Sequence, residues 1–202
     1  NEDNYTVWLE IATGLSHLEQ ILVKVPDEDK LPIHPKENLN KFILDLFSPI
    51  FNSLGWEKKE KEAHTDSLLR SLVISRLGFS GDQEIINKAK YLFSRIKEGF
   101  ILHPDIRSAI YGIIANQGDV KEYKNIIEMY KKETLHEEKN RLGYALGNFR
   151  DQKILELVCN FTMSPHVRNQ DTVSIITGVG SNPYGRDVWW NFVRNNLDTL
   201  VL

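Results

Sequence analysis

The feature that most constrains this chain is an internal repeat. From Thr65 onward three segments align nearly without gaps. They are Leu69-Arg70-Ser71 through Gly81-Asp82, Ile106-Arg107-Ser108 through Gly118-Asp119, and Lys139-Asn140-Arg141 through Arg150-Asp151. A fourth, Val173 to Arg186-Asp187, shares the ending, and the four aspartates stand 37, 32 and 36 residues apart. Each ending leads into an apolar stripe at three- and four-residue steps, the period of one helix face. The stripes are Ile85, Ile86, Ala89, Leu92 and Phe93; then Tyr123, Ile126, Ile127, Met129 and Tyr130; then Ile154, Leu155, Val158, Cys159 and Phe161. The unit reads as helix, tight turn, capping aspartate, helix. One such pair cannot bury both apolar faces alone, so neighbours must stack. The expected fold is all-α: an α-solenoid of stacked antiparallel helix pairs, an armadillo- or HEAT-like superhelix.

The region before the repeats carries two more stripes. Trp8, Ile11, Ala12, Leu15, Leu18, Ile21 and Leu22 form the first, with Asp3 placed to cap it. Pro26, Pro32 and Pro35 break the chain into a polar loop. Leu39, Phe42, Ile43, Leu46, Phe47, Ile50 and Leu54 form the second. Pro49 predicts a kink there, and Gly55 closes the helix. Residues 57–62, of mixed charge sign, read as a solvated linker. Thr134 and Glu137 match a capping box. The whole reads as one helical-repeat domain over 1–202, with a leading helix pair at 1–56 and repeats over 65–202.

Composition limits the function. The 202 residues are 41% hydrophobic and 26% charged, too apolar for a disordered chain. At this length roughly 70% of the unfolded surface can be buried. A net charge of −3 argues against nucleic acid as the main partner. No apolar run reaches the eighteen residues of a membrane span, and the single Cys159 excludes an intramolecular disulfide framework. The chain begins at Asn1 without a charged-then-apolar leader, so it is expected to be an excised or processed segment.

Catalytic signals are weak. Six histidines are present, yet His136-Glu137-Glu138 is followed by Asn140 where a zinc helix needs its second histidine. No catalytic residue and no metal ligand set is expected. Gly178-Val179-Gly180-Ser181-Asn182 follows a helical stripe and lacks the Gly-Lys-Ser/Thr ending of a phosphate loop, so it reads as a helix end running into a turn. Cys159 lies on an apolar stripe and reads as core. Asn4-Tyr5-Thr6 and Asn160-Phe161-Thr162 match the glycosylation tripeptide but fall in expected helices. Trp189-Trp190 reads as packing, one ring toward the core and one away.

The wording of the repeats resembles a known family. Asp66-Ser67-Leu68-Leu69-Arg70 into Gly81-Asp82, Ala89 and Phe93 is similar to the C-terminal helical domain of zinc aminopeptidases of the aminopeptidase N and puromycin-sensitive type. So are residues His103 to Tyr111 into Gly118-Asp119, Arg141 to Leu146 before Arg150-Asp151, and Val167 to Asp171. Asn182-Pro183, Gly185-Arg186 and Trp190-Asn191-Phe192 close the match, with Val7-Trp8 and Leu54-Gly55-Trp56 upstream. The flavour is nearest the cytosolic and archaeal members, including the tricorn-interacting aminopeptidases. The resemblance implies a metalloprotease parent that removes N-terminal residues from peptides, in the cytoplasm, with zinc held outside this segment. It implies a bowl of helix pairs over the active site that usually continues for several more helices past a point like Leu202. The partners implied are peptide substrate and the catalytic domain of the same chain, with no nucleic acid and no membrane. The zinc helix and the Gly-x-Met-Glu-Asn loop are absent: the only methionines are Met129 and Met163. Arg168 and the Ser181–Asn182 turn are the candidate substrate-cavity residues, placed together on its rim or wall. The family often has a basic or bulky residue where Ser181 stands. The alternative function is a free-standing α-solenoid scaffold that binds a protein; concave solenoid faces serve either role.

Overall fold

A computed structural model of the chain describes residues 4–22 and 34–200. Asp3, Pro26 and Pro32 lie outside the described residues. Among those described there are ten α-helices and no strand. They are α1 (Tyr5–Leu22), α2 (Pro35–Leu54), α3 (His64–Phe79), α4 (Gln83–Lys97), α5 (Pro104–Gln117), α6 (Val120–Lys132), α7 (His136–Leu146), α8 (Gln152–Thr162), α9 (Asn169–Ser181) and α10 (Arg186–Leu200). The all-α class and its repeated helix–turn–helix pairs are as the sequence predicts. The chain divides into two compact units, Asn1–Ile110 and Tyr111–Leu202.

In unit 1, α3 packs against α1, α2 and α4. Trp8 meets Phe47 edge-on at 5.3 Å, and Ile43, Phe47, Val73 and Ile74 are fully buried. The α1 stripe is buried at Trp8, Ala12 and Leu15, but Leu18 and Ile21 are exposed. Asn4 accepts from the Thr6 amide at 2.9 Å at the start of α1. Pro35 is not a loop breaker: it is the first residue of α2, where a missing amide costs no helical bond. The helix then runs through Pro49 as one element to Leu54. The α3–α4 turn needs its glycine: Gly81 has φ 99 while the Asp82 amide donates back to Leu77 O at 3.0 Å, closing α3 in a Schellman-type turn.

The repeat aspartates cap as expected in three of four positions. Asp82 accepts from the Ile85 amide at 3.0 Å. Asp119 accepts from Lys121 at 2.6 Å, with Glu122 returning to the Asp119 amide. Asp151 accepts from Lys153 and Ile154 at 2.7 and 3.2 Å. The fourth differs. Asp187 lies inside the first turn of α10, and Gly185 holds the cap position, its carbonyl accepting from Trp189. The Thr134–Glu137 box also does not form. Glu133 Oε1 accepts from the Thr134 and Leu135 amides at 2.7 and 2.8 Å, so α7 starts one residue late with Leu135 at its cap.

The 57–62 linker is not simply solvated. Glu62 pairs with Arg70 of α3, with the two side chains only 5% and 2% exposed. Arg70 also donates to Gly55 O at 3.1 Å and Leu54 O at 3.3 Å. The guanidinium thus satisfies carbonyls that end α2 while Glu62 neutralises it.

Candidate functional site

Within unit 2, α9 is the central element: α7, α8 and α10 each pack on it. Gly147 permits the α7–α9 approach. A Cβ added at Gly147 would stand 2.9 Å from the Gly178 carbonyl carbon, whereas one at Gly178 would meet its nearest neighbour at 3.9 Å. At the end of α9 a Cβ on Gly185 would run into the Val179 carbonyl, which explains glycine at the α10 cap.

The three sequence candidates fall around this helix, and the structure separates them. Arg168 sits at the N-cap of α9 and Ser181 is its last residue. Thirteen helical residues span about 20 Å, so Arg168 does not neighbour the Ser181–Asn182 turn. The expectation of one clustered site fails because a full helix lies between its parts. Nor does Arg168 stand idle at the helix start. Its Nε and Nη2 donate to Asp171 Oδ2 and Oδ1 at 2.7 and 3.0 Å, a two-bond fork that raises the guanidinium's proton affinity. The fork places a carboxylate over the positive helix end and makes the cation tolerable there. The Arg168 side chain stays 39% exposed.

Asn182 is buried. Its Nδ2 donates to Gly147 O at 2.7 Å and Phe149 O at 2.6 Å, and its Oδ1 accepts from the Tyr184 amide at 3.0 Å. All of its close partners are backbone of the α7–α8 and α9–α10 turns. Ser181 is exposed.

Other groups of chemical interest are held in structural roles. Glu138 is buried, accepting from Tyr111 Oη at 2.6 Å and Arg141 Nη1 at 2.9 Å. Cys159 is a buried free thiol pushed up to about 11 by burial and then by the Glu156 charge, which leaves it a thiol at neutral pH. Tyr130 is raised by burial and by Asp171. Its ring meets Phe161 edge-on at 5.5 Å. Among the described residues no group of three or more His, Cys, Asp or Glu side chains could hold a metal ion, so they do not fit a zinc site. No described helix is long and apolar enough to cross a membrane.

Sequence reasoning passed over a cleft in unit 2, of about 340 Å³, between α8 and α10. Its walls are Gln152, Glu156 and Asn160 on α8 and Asp187, Asn191 and Asn195 on α10. The signal was present: both triplets follow a strict four-residue step, the spacing of one helix face.

These features define a class: a helical-repeat domain whose buried polar groups serve packing, with no metal-binding cluster among the described residues. The comparison with known proteins gives the family. The chain belongs to the ERAP1-like C-terminal domain family, whose model matches residues 1–202. It is 30% identical over 205 aligned residues to Aminopeptidase M1-A of Oryza sativa subsp. japonica, covering 98% of this chain and 22% of that protein. It is 29% identical to Aminopeptidase A of Gloydius brevicauda, covering 100% and 20%. Against Glutamyl aminopeptidase of Sus scrofa it is 26% identical, covering 99% and 21%. The chain therefore spans about a fifth of the length of the relatives it matches.

Proposed function

We propose that this chain is the substrate-enclosing segment of a zinc aminopeptidase that trims N-terminal residues from peptides, and that it supplies no catalytic group itself. One observation carries the reading: the family match runs over the whole chain while its aminopeptidase relatives are some five times longer. In this reading zinc, the catalytic glutamate and the exopeptidase loop belong to the catalytic domain of the same protein. That domain and the peptide are the partners of this segment. The compartment is cytoplasmic, a setting in keeping with one buried, unpaired cysteine.

Arg168, Ser181 and Asn182 take different parts. Arg168 keeps an exposed edge beyond its fork with Asp171 and meets the carboxylate end of a peptide. Ser181 is an exposed wall residue, and Asn182 holds the turn that presents it. The test is made in the full-length enzyme. Arg168→Ala is expected to lower kcat/KM for peptides with a free C-terminus while sparing amidated peptides and one-residue chromogenic substrates. Equal loss on all three, or no loss, leaves Arg168 as a helix-start clasp only. No peptidase activity in the full-length protein removes the functional reading itself.

A further inference from the structure

The exposed faces of two helices in unit 2 differ in kind. α6 and α9 are both 13 residues long. The exposed residues of α6 are Val120, Lys121, Lys124, Glu128, Lys131 and Lys132, the charged surface of a solvated helix. Those of α9 are Asn169, Gln170, Val173, Ser174, Thr177 and Ser181, with no charge among them. Asp171, the only charged residue of α9, is held by Arg168. Helix stability does not explain this choice. Valine, serine and threonine form helices less well than lysine or glutamate, which exposed positions accept freely.

The neighbouring helix extends the same face. A Cβ on Gly143 would stand 3.1 Å from Ile175, and one on Gly147 would stand 2.9 Å from the Gly178 backbone. Contacts that rise together in this way mean that α7 and α9 lie side by side and run in the same direction. Steps of about 100° per residue from those contacts bring Asn140 and Tyr144 of α7 to the same side as Val173, Ser174 and Thr177. Tyr144 and Val173 are each 56% exposed.

This surface is neither of the two usual kinds. It lacks the charges of a permanently solvated helix. With serine, threonine and asparagine around its two apolar side chains, it also lacks the aromatic and aliphatic core of a permanent interface. Such a composition suits a face that is wet at one time and covered at another. Neutral hydroxyls and amides lose water at far lower cost than ions, and they can both donate to and accept from a peptide main chain. An ion laid on this face would lose water and meet no counter-charge.

We propose that the enclosed peptide lies on the α7–α9 face and that this face selects against charge. Uncharged peptide residues pack on Tyr144 and Val173, while Ser174 and Thr177 meet the main chain. The inference rests on the aminopeptidase reading and adds to it the class of peptide accepted. Val173 to Ser181 rises about 12 Å, the reach of three to four extended residues, so the selection covers a short interior window of the peptide.

The test is made in the full-length enzyme with peptides of equal length and constant ends, in which each interior position is leucine, glutamate or lysine in turn. Over one window of adjoining positions, both charged residues are expected to lower kcat/KM about tenfold, through KM. Val173→Lys should bring glutamate in that window back to about the level of leucine and leave lysine excluded; Val173→Glu should do the reverse. Thr177→Lys should repeat the first shift one turn along the helix, and it keeps the test decisive should the Val173 variants lose their fold. The readout is the ratio between the two charged peptides, which a folding defect would not invert. Equal tolerance of leucine, glutamate and lysine at every interior position overturns the proposal and leaves the aminopeptidase reading in place. So does a loss common to all peptides in the variants, the mark of a face covered by another part of the protein. Absence of peptidase activity in the full-length protein removes both.

Discussion

The two units hold their helices together by different means. In unit 1 the polar ties between helices are ionic and long-range. Arg76 of α3 forks onto Glu19 of α1 at 2.9 and 3.1 Å and also reaches Ser16, while Arg70 joins Glu62 to the end of α2. In unit 2 the α7–α9 approach depends on a missing side chain at Gly147, against the Gly178 backbone, and on the Asn182 amide bonding turn carbonyls. The lesson is that one repeated helix–turn–helix grammar tolerates two kinds of glue. The α1–α3 and α2–α3 contacts of unit 1 should respond to charge and pH, and the α7–α9 contact of unit 2 to volume.

The largest effect is expected at Arg70. Arg70→Ala strands the buried Glu62 and the α2 carbonyls and should destabilise unit 1 by about 3 kcal/mol. Chemical denaturation followed through Trp8 and Trp56 measures it. The Arg70→Met, Glu62→Leu pair should recover much of the loss, because no charge is left unpaired. If the double variant is as unstable as the single one, the ionic account of unit 1 is wrong.

The pH response sharpens the same contrast. The hydrogen bond from Arg70 holds the Glu62 carboxyl below its ordinary value. A carboxyl lowered by folding adds stability above its unfolded value, and that stability is lost as pH falls through the folded one. Acidification below the usual glutamate range should therefore loosen unit 1, and Glu62→Gln should flatten that slope. Hydrogen exchange read separately over residues 34–110 and 111–200 reports it. A pH slope unchanged by Glu62→Gln counts against the assignment.

In unit 2 the contrast is between two alanines. Gly147→Ala forces a Cβ into the Gly178 backbone and should cost about 2 kcal/mol by overpacking. Gly178→Ala meets nothing closer than 3.9 Å and should be neutral or gain up to about 1 kcal/mol from helix propensity. The thermal melt of Gly147→Ala should fall while that of Gly178→Ala holds or rises. Equal losses would mean that the close approach is not what holds α7 on α9.

The smallest effects separate the caps. Asp151→Ala removes a bonded N-cap and should cost about 1 kcal/mol. Asp187→Ala removes a first-turn charge in place of an N-cap and should cost about 0.5 kcal/mol. Equal costs would restore Asp187 to the role that its sequence position suggests.

Local features were legible in the sequence; long-range ones were not. The stripes of α4, α6 and α8 and the caps Asp82, Asp119 and Asp151 each depend on neighbours within a turn or two. Asp187 misled because a Cβ at Gly185 would collide with Val179, a fact set by the packing of α9 and not by spacing. Thr134 misled because Glu133, one residue earlier, accepts from the Thr134 amide that the box would give to Glu137, and the helix starts after Leu135. Residues 57–62 looked solvated because the partner of Glu62 stands eight residues on, across a turn. Arg168 and Ser181–Asn182 were individually placeable, but the helix between them keeps them apart. The α8–α10 rows carried a readable four-residue step that motif searching for nucleophiles and metals passed over.

The most direct test of the account asks whether this chain carries chemistry of its own. The purified 202-residue chain, dialysed against zinc-containing and then zinc-free buffer, is assayed for bound metal and for turnover of an aminoacyl chromogenic substrate. The account predicts well under one zinc per chain and no turnover above buffer. One zinc retained per chain together with turnover would contradict it, because a complete hydrolytic site would then lie within these helices.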